Sequence, residues 1–295
     1  MKIFIQPSAL KNDDGKILPG SALFGMKYLQ ESGCELSFNL KSLTDDQKRL
    51  IGNENIRNGN FPEELAEGLI KKGKLYIFEI DGATIDEAIN WAALSRKILF
   101  PERKATITRN TKETQISITL NLDGTGKSSI KTGLSFFNHM LDQIARHGLV
   151  DLDLTCDGDL EVDEHHTIED TAIALGQAIR QAISDNKAGI QRYGFVLPMD
   201  EAQATVAIDL SDRPYLQWDV PLNREYVGDF PTEMLEHFFY TLAMNAKATL
   251  HVKADGKNEH HIIEAVFKGF ARALRFSVSR NERIRGILPT TKGTI

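Results

Sequence analysis

The amino-acid sequence predicts an α+β protein whose C-terminal domain consists of two tandem β-α-β-α half-domains, each a sheet with helices packed on one face. Three observations predict this fold. The segment Glu164–Glu169 recurs as Glu259–Glu264, 95 residues later, which indicates an internal duplication. Each copy opens a stretch with apolar residues at helical spacing. Each also follows a segment in which apolar and polar residues alternate, as in a strand with one buried face.

The elements of the two half-domains follow one another in the same order. Each half contains an alternating strand, a helix with a histidine in its first two turns, a second strand and the helix that opens with the repeated segment. In the first half, residues 104–190, the first three elements are Thr114–Leu122, Phe136–His147 and Asp151–Cys156. In the second half, residues 191–295, they are Ala204–Leu210, Thr232–Asn245 and Ala248–Lys253.

Residues 1–103 form a separate small α/β accessory domain in this prediction. The boundary follows from the short polar segment Pro101–Lys104, which interrupts the pattern of strands and helices. The apolar segments predict three strands, at Lys2–Ile5, Glu35–Leu40 and Leu75–Ile80. They also predict three helices, at Ala22–Ser32, Phe61–Lys72 and Ile85–Phe100.

The bulk composition is that of a globular protein, because 41% of the residues are hydrophobic and 26% are charged. No run of about 18 apolar residues is present, which excludes a membrane-spanning helix. The net charge of −6 argues against nucleic acid as a partner. Cys34 and Cys156 lie far apart and without CxxC spacing. We therefore expect reduced thiols and a cytoplasmic protein without a signal peptide.

All eight histidines lie at position 139 or later, so we expect the chemistry in the C-terminal domain. In a helix that opens with the repeated segment, residues four apart project from nearly the same side. His165 and Glu169 can therefore share one metal ion, whereas His166 points about a quarter turn away and would serve a second ion. The second copy repeats this arrangement with His260, Glu264 and His261.

One further histidine lies on the helix upstream of each repeat, at His139 and His237. Divided over two ions, the six imidazoles and two carboxylates give three imidazoles and one carboxylate for each. Such a set suits Mn²⁺, Fe²⁺ or Zn²⁺ and fits Mg²⁺ or Ca²⁺ poorly. One histidine pair at a helix start is more often solvated, and it is the duplication that indicates a metal site. His147 and His251 lie outside the pattern; we expect a structural role for His251 and leave His147 open.

Several motifs of the C-terminal domain stand in a characteristic order. They are Arg109–Thr114, Leu122–Gly126, Phe136–Asp142, Asp163–Asp170, Arg192–Gly194, Pro198–Glu201, Asp209–Tyr215, Gly256–His261 and Leu288–Gly293. In these motifs the chain from about Thr106 to the end resembles the imidazoleglycerol-phosphate dehydratase family. Three features depart from the family pattern: Asn138 where the family commonly has Asp, Thr290 where it usually has Ser, and the less typical stretch Asn281–Ile287.

The resemblance implies a carbon–oxygen lyase of histidine biosynthesis, which dehydrates D-erythro-imidazoleglycerol phosphate to imidazole acetol phosphate. It implies two Mn²⁺ ions per active site, with other divalent transition metals as alternatives. It also implies a homo-oligomer, typically of 24 subunits, with active sites at subunit interfaces. The expected partner is therefore a small imidazole phosphate, with neither nucleic acid nor a membrane involved.

The resemblance also implies individual roles. The metal ligands it implies are His139, His165, His166, Glu169, His237, His260, His261 and Glu264. Glu113 is the first candidate for moving protons and Asp200 the second, with Glu169 and Glu264 as further catalytic carboxylates. The substrate-binding candidates are Glu113, His139, His147, Arg192, Arg213, Lys257, Thr290, Thr291 and Lys292. Among these, the two arginines, Lys292 and the Thr290 hydroxyl would hold the phosphate.

Two alternative functions stay open on the sequence. One is a metal-dependent phosphatase or hydrolase, and the other is a metal-binding shell without catalysis. For the N-terminal domain, the first strand faintly resembles that of a haloacid dehalogenase-type histidinol-phosphatase. Gln6-Pro7-Ser8 stands where such enzymes have Asp-x-Asp, so we expect an inactive remnant, with an unrelated accessory domain as the alternative.

Overall fold

A computed structural model of the chain describes residues 1–11, 20–184 and 187–292. These residues form two compact units, Met1–Pro101 and Glu102–Ile295. The division falls two residues before the boundary that the sequence predicts, within the same polar segment.

The N-terminal unit is a five-stranded sheet in the order β2-β1-β3-β4-β5, with helices beside it. β1 lies parallel to both β2 and β3, whereas β3, β4 and β5 pair antiparallel. Buried apolar side chains of the sheet and of the helices α1 and α3 form its core. The elements in chain order are β1 (Lys2–Ile5), α1 (Gly20–Glu31), β2 (Glu35–Phe38), α2 (Asp45–Asn53), β3 (Gly68–Lys72), β4 (Tyr76–Ile80), β5 (Ala83–Ala88) and α3 (Trp91–Leu99).

Two helix predictions in this unit are wrong where strand pairing prevails over local pattern. The predicted helix Phe61–Lys72 ends as strand β3, because residues 68–72 pair with β1 on one side and β4 on the other. The predicted helix Ile85–Phe100 begins only at Trp91, where the Asn90 side chain accepts a hydrogen bond from Ala93 N at 2.9 Å and caps it. Helix α2 was not predicted, although Thr44 and Gln47 form a capping box, which is a sequence signal for the start of a helix.

The C-terminal unit confirms the predicted duplication. The first half contains β6 (Lys104–Asn110), β7 (Thr114–Asn121), β8 (Ser128–Lys131), α4 (Ser135–Gly148), β9 (Asp151–Gly158) and α5 (His165–Ile183). The second half contains β10 (Tyr193–Met199), β11 (Ala202–Asp209), β12 (Tyr215–Asp219), β13 (Tyr226–Val227), β14 (Phe230–Pro231), α6 (Glu233–Ala246), β15 (Thr249–Asp255) and α7 (Glu259–Ser277).

Each half forms a four-stranded sheet, in the orders β6-β7-β9-β8 and β10-β11-β15-β12. The predicted β-α-β-α pattern therefore holds, but each sheet has two further strands at its edges. The edge strands were not predicted because much of their length is exposed and therefore shows little apolar alternation. Strand β8, for example, contains no buried residue. The central strands show the expected alternation, with one face buried and the other exposed.

Helices fill the space between the two sheets. Helices α4 and α5 pack on the first sheet and α6 and α7 on the second, while α5 contacts α6 and α4 contacts α7. One apolar core runs through both halves as a result. None of the helices in the described ranges is long and apolar enough to cross a membrane. The packing brings helix starts from different halves together, and these starts carry the predicted metal ligands.

Candidate active site with two histidine and glutamate clusters

The first cluster joins α4 of one half to α7 of the other and consists of His139, His260 and Glu264. His260 and Glu264 lie one turn apart on α7, with Nε2 and Oε2 separated by 3.3 Å. His139 reaches them from α4, its Nε2 lying 3.9 Å from Glu264 Oε1. One potential ligand atom of each residue lies within 4.8 Å of the other two.

The second cluster joins α5 to α6 in the same way and consists of His165, Glu169 and His237. His165 Nε2 lies 3.3 Å from Glu169 Oε2. His237 Nε2 lies 3.5 Å from Glu169 Oε1. This His237 nitrogen is shielded from solvent and has no hydrogen-bond partner within the described ranges. A shielded nitrogen without a partner costs free energy, which a bound ion would recover.

These two donor sets fit a divalent transition metal. Imidazole nitrogens and carboxylate oxygens bind such ions at about 2.0–2.2 Å, which puts adjacent ligand atoms about 3 Å apart and opposite ones about 4.3 Å apart. The observed separations of 3.3 to 3.9 Å lie between these limits. Two imidazoles with one carboxylate are also the mixture that favours Mn²⁺, Fe²⁺ or Zn²⁺ over Mg²⁺ and Ca²⁺.

Each cluster draws on both half-domains, a feature that the sequence pattern left open. The HHxxE pair of one half meets the single histidine of the other half, because α4 packs against α7 and α5 against α6. A point change in either half therefore alters a cluster that the other half shares.

His166 and His261 lie beside the clusters rather than in them. His166 Nδ1 lies 3.1 Å from both carboxylate oxygens of Asp159, and His261 Nδ1 lies 2.8 Å from Glu201 Oε2. These hydrogen bonds raise the pKa of both imidazoles above the ordinary histidine value. The hydrogen bond from His261 also lowers the pKa of Glu201 to about 2. Six of the eight predicted ligands thus come together within one chain.

The two predicted proton-moving carboxylates occupy matching hairpin turns. Glu113 lies between β6 and β7, where the backbone N of Glu113 donates a hydrogen bond to the Thr111 hydroxyl at 3.1 Å. Asp200 lies between β10 and β11 with a left-handed backbone φ of 50°. Glu113 Oε1 lies 3.9 Å from His166 Nε2, and Asp200 Oδ2 lies 3.8 Å from the corresponding nitrogen of His261. Each half therefore offers an exposed carboxylate beside the second histidine of its repeat.

The two predicted phosphate-binding arginines meet at Asp209. Arg192 Nε donates to Asp209 Oδ2 at 2.7 Å, and Arg213 Nη2 donates to the same oxygen at 3.2 Å. Arg192 Nη1 also donates to the carbonyl of Pro289, the residue before the terminal segment 290–292, at 3.3 Å. Within that segment the Thr290 hydroxyl accepts from Lys292 N at 3.1 Å. Thr291 belongs to the same segment, whereas Gly293 lies outside the described residues.

The remaining candidates are more scattered. Lys257 is exposed just before α7, and His251 lines a surface cleft of about 370 Å³ together with Arg192. His147 is half-buried near the end of α4; burial and the cations Lys268 and Arg272 of α7 lower its pKa.

Lys268 was not predicted from the sequence, although it contacts the carboxylate of the first cluster. Its Nζ lies 2.8 Å from Glu264 Oε1, and its side chain is largely buried. Burial would raise the pKa of Glu264, but the hydrogen bond and charge of Lys268 outweigh it and lower that pKa. Lys268 follows Glu264 by four residues on one helix, and this spacing alone could have indicated the ion pair. Asp159 and Glu201, the partners of the second histidines, were not predicted either.

Fold and site together define a class: a duplicated α+β protein with two His/Glu clusters suited to divalent metals, next to exposed carboxylates and paired arginines. Residues 132–274 match the sequence profile of imidazoleglycerol-phosphate dehydratase. Over 196 residues the chain is 55% identical to the imidazoleglycerol-phosphate dehydratase of Marinobacter nauticus, covering 66% of this chain and 99% of that protein. The chain belongs to the imidazoleglycerol-phosphate dehydratase family.

Other relatives agree with this placement. Over 206 residues, or 70% of its length, the chain is 53% identical to the histidine biosynthesis bifunctional protein HisB of Spirosoma linguale. The matched part spans about half of that relative's length, 54%. The crystal structure of the Staphylococcus aureus dehydratase is similar with a TM-score of 0.55 and 37% identity, covering 60% of this chain and 99% of that one. The crystal structure of the Pyrococcus furiosus dehydratase is similar with a TM-score of 0.54 and 35% identity, covering 64% of this chain and 100% of that one.

Proposed function

We propose that the protein dehydrates D-erythro-imidazoleglycerol phosphate to imidazole acetol phosphate in histidine biosynthesis. The observation that carries the proposal is the pair of His/Glu clusters, each assembled across the two halves of a domain of this family. The reaction removes a hydroxyl from the carbon attached to the imidazole ring and a proton from the next carbon. The enol that results becomes the ketone by moving one proton, so only water is released.

We propose Mn²⁺ as the metal, with two ions per active site and other divalent transition metals as substitutes. The ligands would be the three residues of each cluster together with His166 and His261, and the donor atoms and the partnerless His237 nitrogen support this. A bound ion supplies Lewis acidity, which stabilises negative charge on the substrate imidazole and so favours loss of the hydroxyl.

Glu113 and Asp200 would move the protons. Glu169 and Glu264 are ligand candidates within the clusters, so a freely mobile carboxylate must come from elsewhere. Glu113 is exposed in its turn, and its carboxylate can take the proton from the carbon next to the departing hydroxyl. Asp200 occupies the matching position and can return a proton at the end of the reaction.

Arg192, Arg213 and the segment Thr290–Lys292 would bind the phosphate. Asp209 accepts hydrogen bonds from both guanidinium groups and so holds them side by side. Two planar forks beside a lysine and threonine hydroxyls suit a phosphate dianion. We include Lys257, which lies in the family motif Gly256–His261, and His147, which follows His139 on α4, among the substrate-binding candidates.

We further propose that the protein works as a homo-oligomer, with 24 subunits as the expected assembly and active sites where copies meet. The support is that each cluster contains three donors from one chain, while His166 and His261 lie outside both. A neighbouring copy could bring its second histidines to complete the clusters. A cytoplasmic location, and the absence of nucleic-acid and membrane partners, stay predictions.

For residues 1–103 we propose an inactive phosphatase-like remnant. β1 runs parallel to both of its neighbours, as the first strand of such a domain would, and Gln6 follows it in place of the nucleophilic aspartate. An accessory domain of unrelated origin is the alternative.

The test is incubation with imidazoleglycerol phosphate and Mn²⁺, followed by identification of the product. A ketone that retains its phosphate supports the dehydratase, free inorganic phosphate supports a phosphatase, and unchanged substrate supports a metal-binding shell. His165→Ala and His260→Ala should each abolish turnover and remove bound metal, whereas the control Asp157→Ala, an exposed change on β9 outside both clusters, should retain both. Retention of full activity by either cluster variant would refute the ligand assignment.

A further inference from the structure

A carboxylate stands behind each second histidine of the repeat. Asp159 accepts the hydrogen bond of His166 Nδ1 with both oxygens at 3.1 Å, and Glu201 accepts that of His261 at 2.8 Å. The two carboxylates come from different places, since Asp159 lies in the loop between β9 and α5 and Glu201 in the turn between β10 and β11. The duplicated halves thus reach one arrangement by two routes, which indicates that the arrangement itself matters.

Both carboxylates are themselves held in place. The backbone N of Asp159 donates to the Glu113 carbonyl at 3.0 Å, and its own carbonyl accepts from Val162 N at 2.8 Å. The second oxygen of Glu201 accepts from the backbone N of Asn258, the capping residue of α7, at 2.8 Å. Glu201 is therefore fixed to the start of α7, and Asp159 to the β6–β7 turn and to its own loop.

This geometry determines which ring nitrogen is free. A neutral imidazole has one N–H and one lone pair, and an ionised carboxylate can only accept. The proton must therefore lie on Nδ1, and the lone pair is left on Nε2, the nitrogen that a metal ion binds. In both halves this nitrogen is turned toward the hairpin carboxylate, at 3.9 Å for His166 and 3.8 Å for His261.

We propose that Asp159 and Glu201 are positioning residues, which fix the tautomer and ring orientation of His166 and His261 so that Nε2 is ready to bind a metal ion. The proposal rests on the proposed function, because it assumes that these two histidines become ligands. Carboxylates in this position behind metal-bound histidines typically change metal affinity by about 10–100-fold.

The test is a Mn²⁺ titration followed by the electron paramagnetic resonance signal of the free ion. It uses the full chain, with every variant compared with the wild type at the same pH. Asp159→Ala and Glu201→Ala should each weaken Mn²⁺ binding about 10–100-fold. The matched control is Asp157→Ala, which removes an exposed carboxylate from β9 two residues away and should bind Mn²⁺ as wild type does. Thermal unfolding of the metal-free variants checks that the fold is intact.

Two further comparisons separate positioning from a structural role. Asp159→Asn keeps an acceptor oxygen, so its affinity should lie between those of the wild type and Asp159→Ala. Glu201→Gln likewise keeps an acceptor for Asn258 N, which protects the start of α7. If Asp159 acts through His166, adding Asp159→Ala to His166→Ala should cause no further loss of Mn²⁺ affinity.

The outcomes distinguish the two proposals. Wild-type protein that binds no Mn²⁺ overturns the metal site and this inference together. Wild-type protein that binds Mn²⁺ while both alanine variants match it within about twofold overturns the inference alone. A further loss when Asp159→Ala is added to His166→Ala also overturns it, because the carboxylate would then act by another route.

Discussion

Replacing Gly176 by alanine should force α5 and α6 apart and disturb the second cluster of His165, Glu169 and His237. A Cβ atom on Gly176 would lie 2.7 Å from the Leu242 carbonyl oxygen, 2.8 Å from Asn245 Cβ and 2.9 Å from Ala246 N. Two of these atoms belong to the backbone of α6, so no side-chain rotation can relieve the contacts. The helices must separate by several tenths of an ångström to restore ordinary van der Waals distances.

The magnitude follows from two opposing effects. Overpacking a tight contact costs about 1–3 kcal/mol, and backbone neighbours put this site near the upper end. Alanine in a helix interior recovers about 1 kcal/mol relative to glycine. We therefore expect a net loss of about 2 kcal/mol in the free energy of unfolding, and a melting temperature lower by about 4–8 °C for a domain of this size.

Thermal unfolding of the metal-free protein measures the stability, and a Mn²⁺ titration measures the cluster. Because α5 carries His165 and Glu169 and α6 carries His237, the change should also weaken Mn²⁺ binding. The matched control is Gly269→Ala on α7, where the nearest atom is a methyl group of Val206 at 3.0 Å and every near neighbour is a side chain. Gly176→Ala protein as stable as wild type, with equal Mn²⁺ affinity, would refute the reasoning.

Three further predictions concern charged and reactive groups of the C-terminal unit. Asp123 receives side-chain hydrogen bonds from Arg103 and Arg280, so Asp123→Ala should cost about 3 kcal/mol in urea unfolding at neutral pH. Burial would raise the pKa of Asp123, but the hydrogen bonds from the two arginines outweigh it and lower that pKa. The stability lost in Asp123→Ala should therefore shrink as the pH falls through the pKa of Asp123 in the folded protein. A loss of stability that does not change with pH would contradict this prediction. Burial and nearby cations lower the pKa of His147, so its neutral form stabilises the fold above a pH of about 6.5 and that stability is lost as the pH falls. His147→Gln should therefore lose stability less steeply than wild type between pH 7 and 5, and an equal slope would exclude the effect. Burial raises the pKa of the Cys156 thiol to about 11, so Ellman's reagent should label it only after unfolding, and rapid labelling of folded protein would contradict its burial.

The duplication and its histidine–glutamate pairs could be predicted from sequence because they depend on short-range spacing. Residues four apart on one helix face the same way in any fold, so His165 with Glu169 and His260 with Glu264 were expected as pairs. The central strands of both sheets were likewise expected, because one buried face imposes alternation.

Other features depend on contacts that a local pattern does not contain. Residues 68–72 form a strand because two neighbours pair with them, although the segment fits a helix by its apolar spacing. Asp159 and Glu201 were missed for the same reason, since each meets its histidine only after a loop or hairpin has folded back.

The sequence by itself determined the duplication and a set of eight histidines and glutamates that includes the six clustered donors, because helical periodicity is a local property. Only the tertiary structure decided that His139 joins the α7 pair and His237 the α5 pair, and that His166 and His261 face carboxylates instead. The physical reason is the packing of helices between the two sheets. Burying one common core sets α4 against α7 and α5 against α6, and the clusters form where those helices meet.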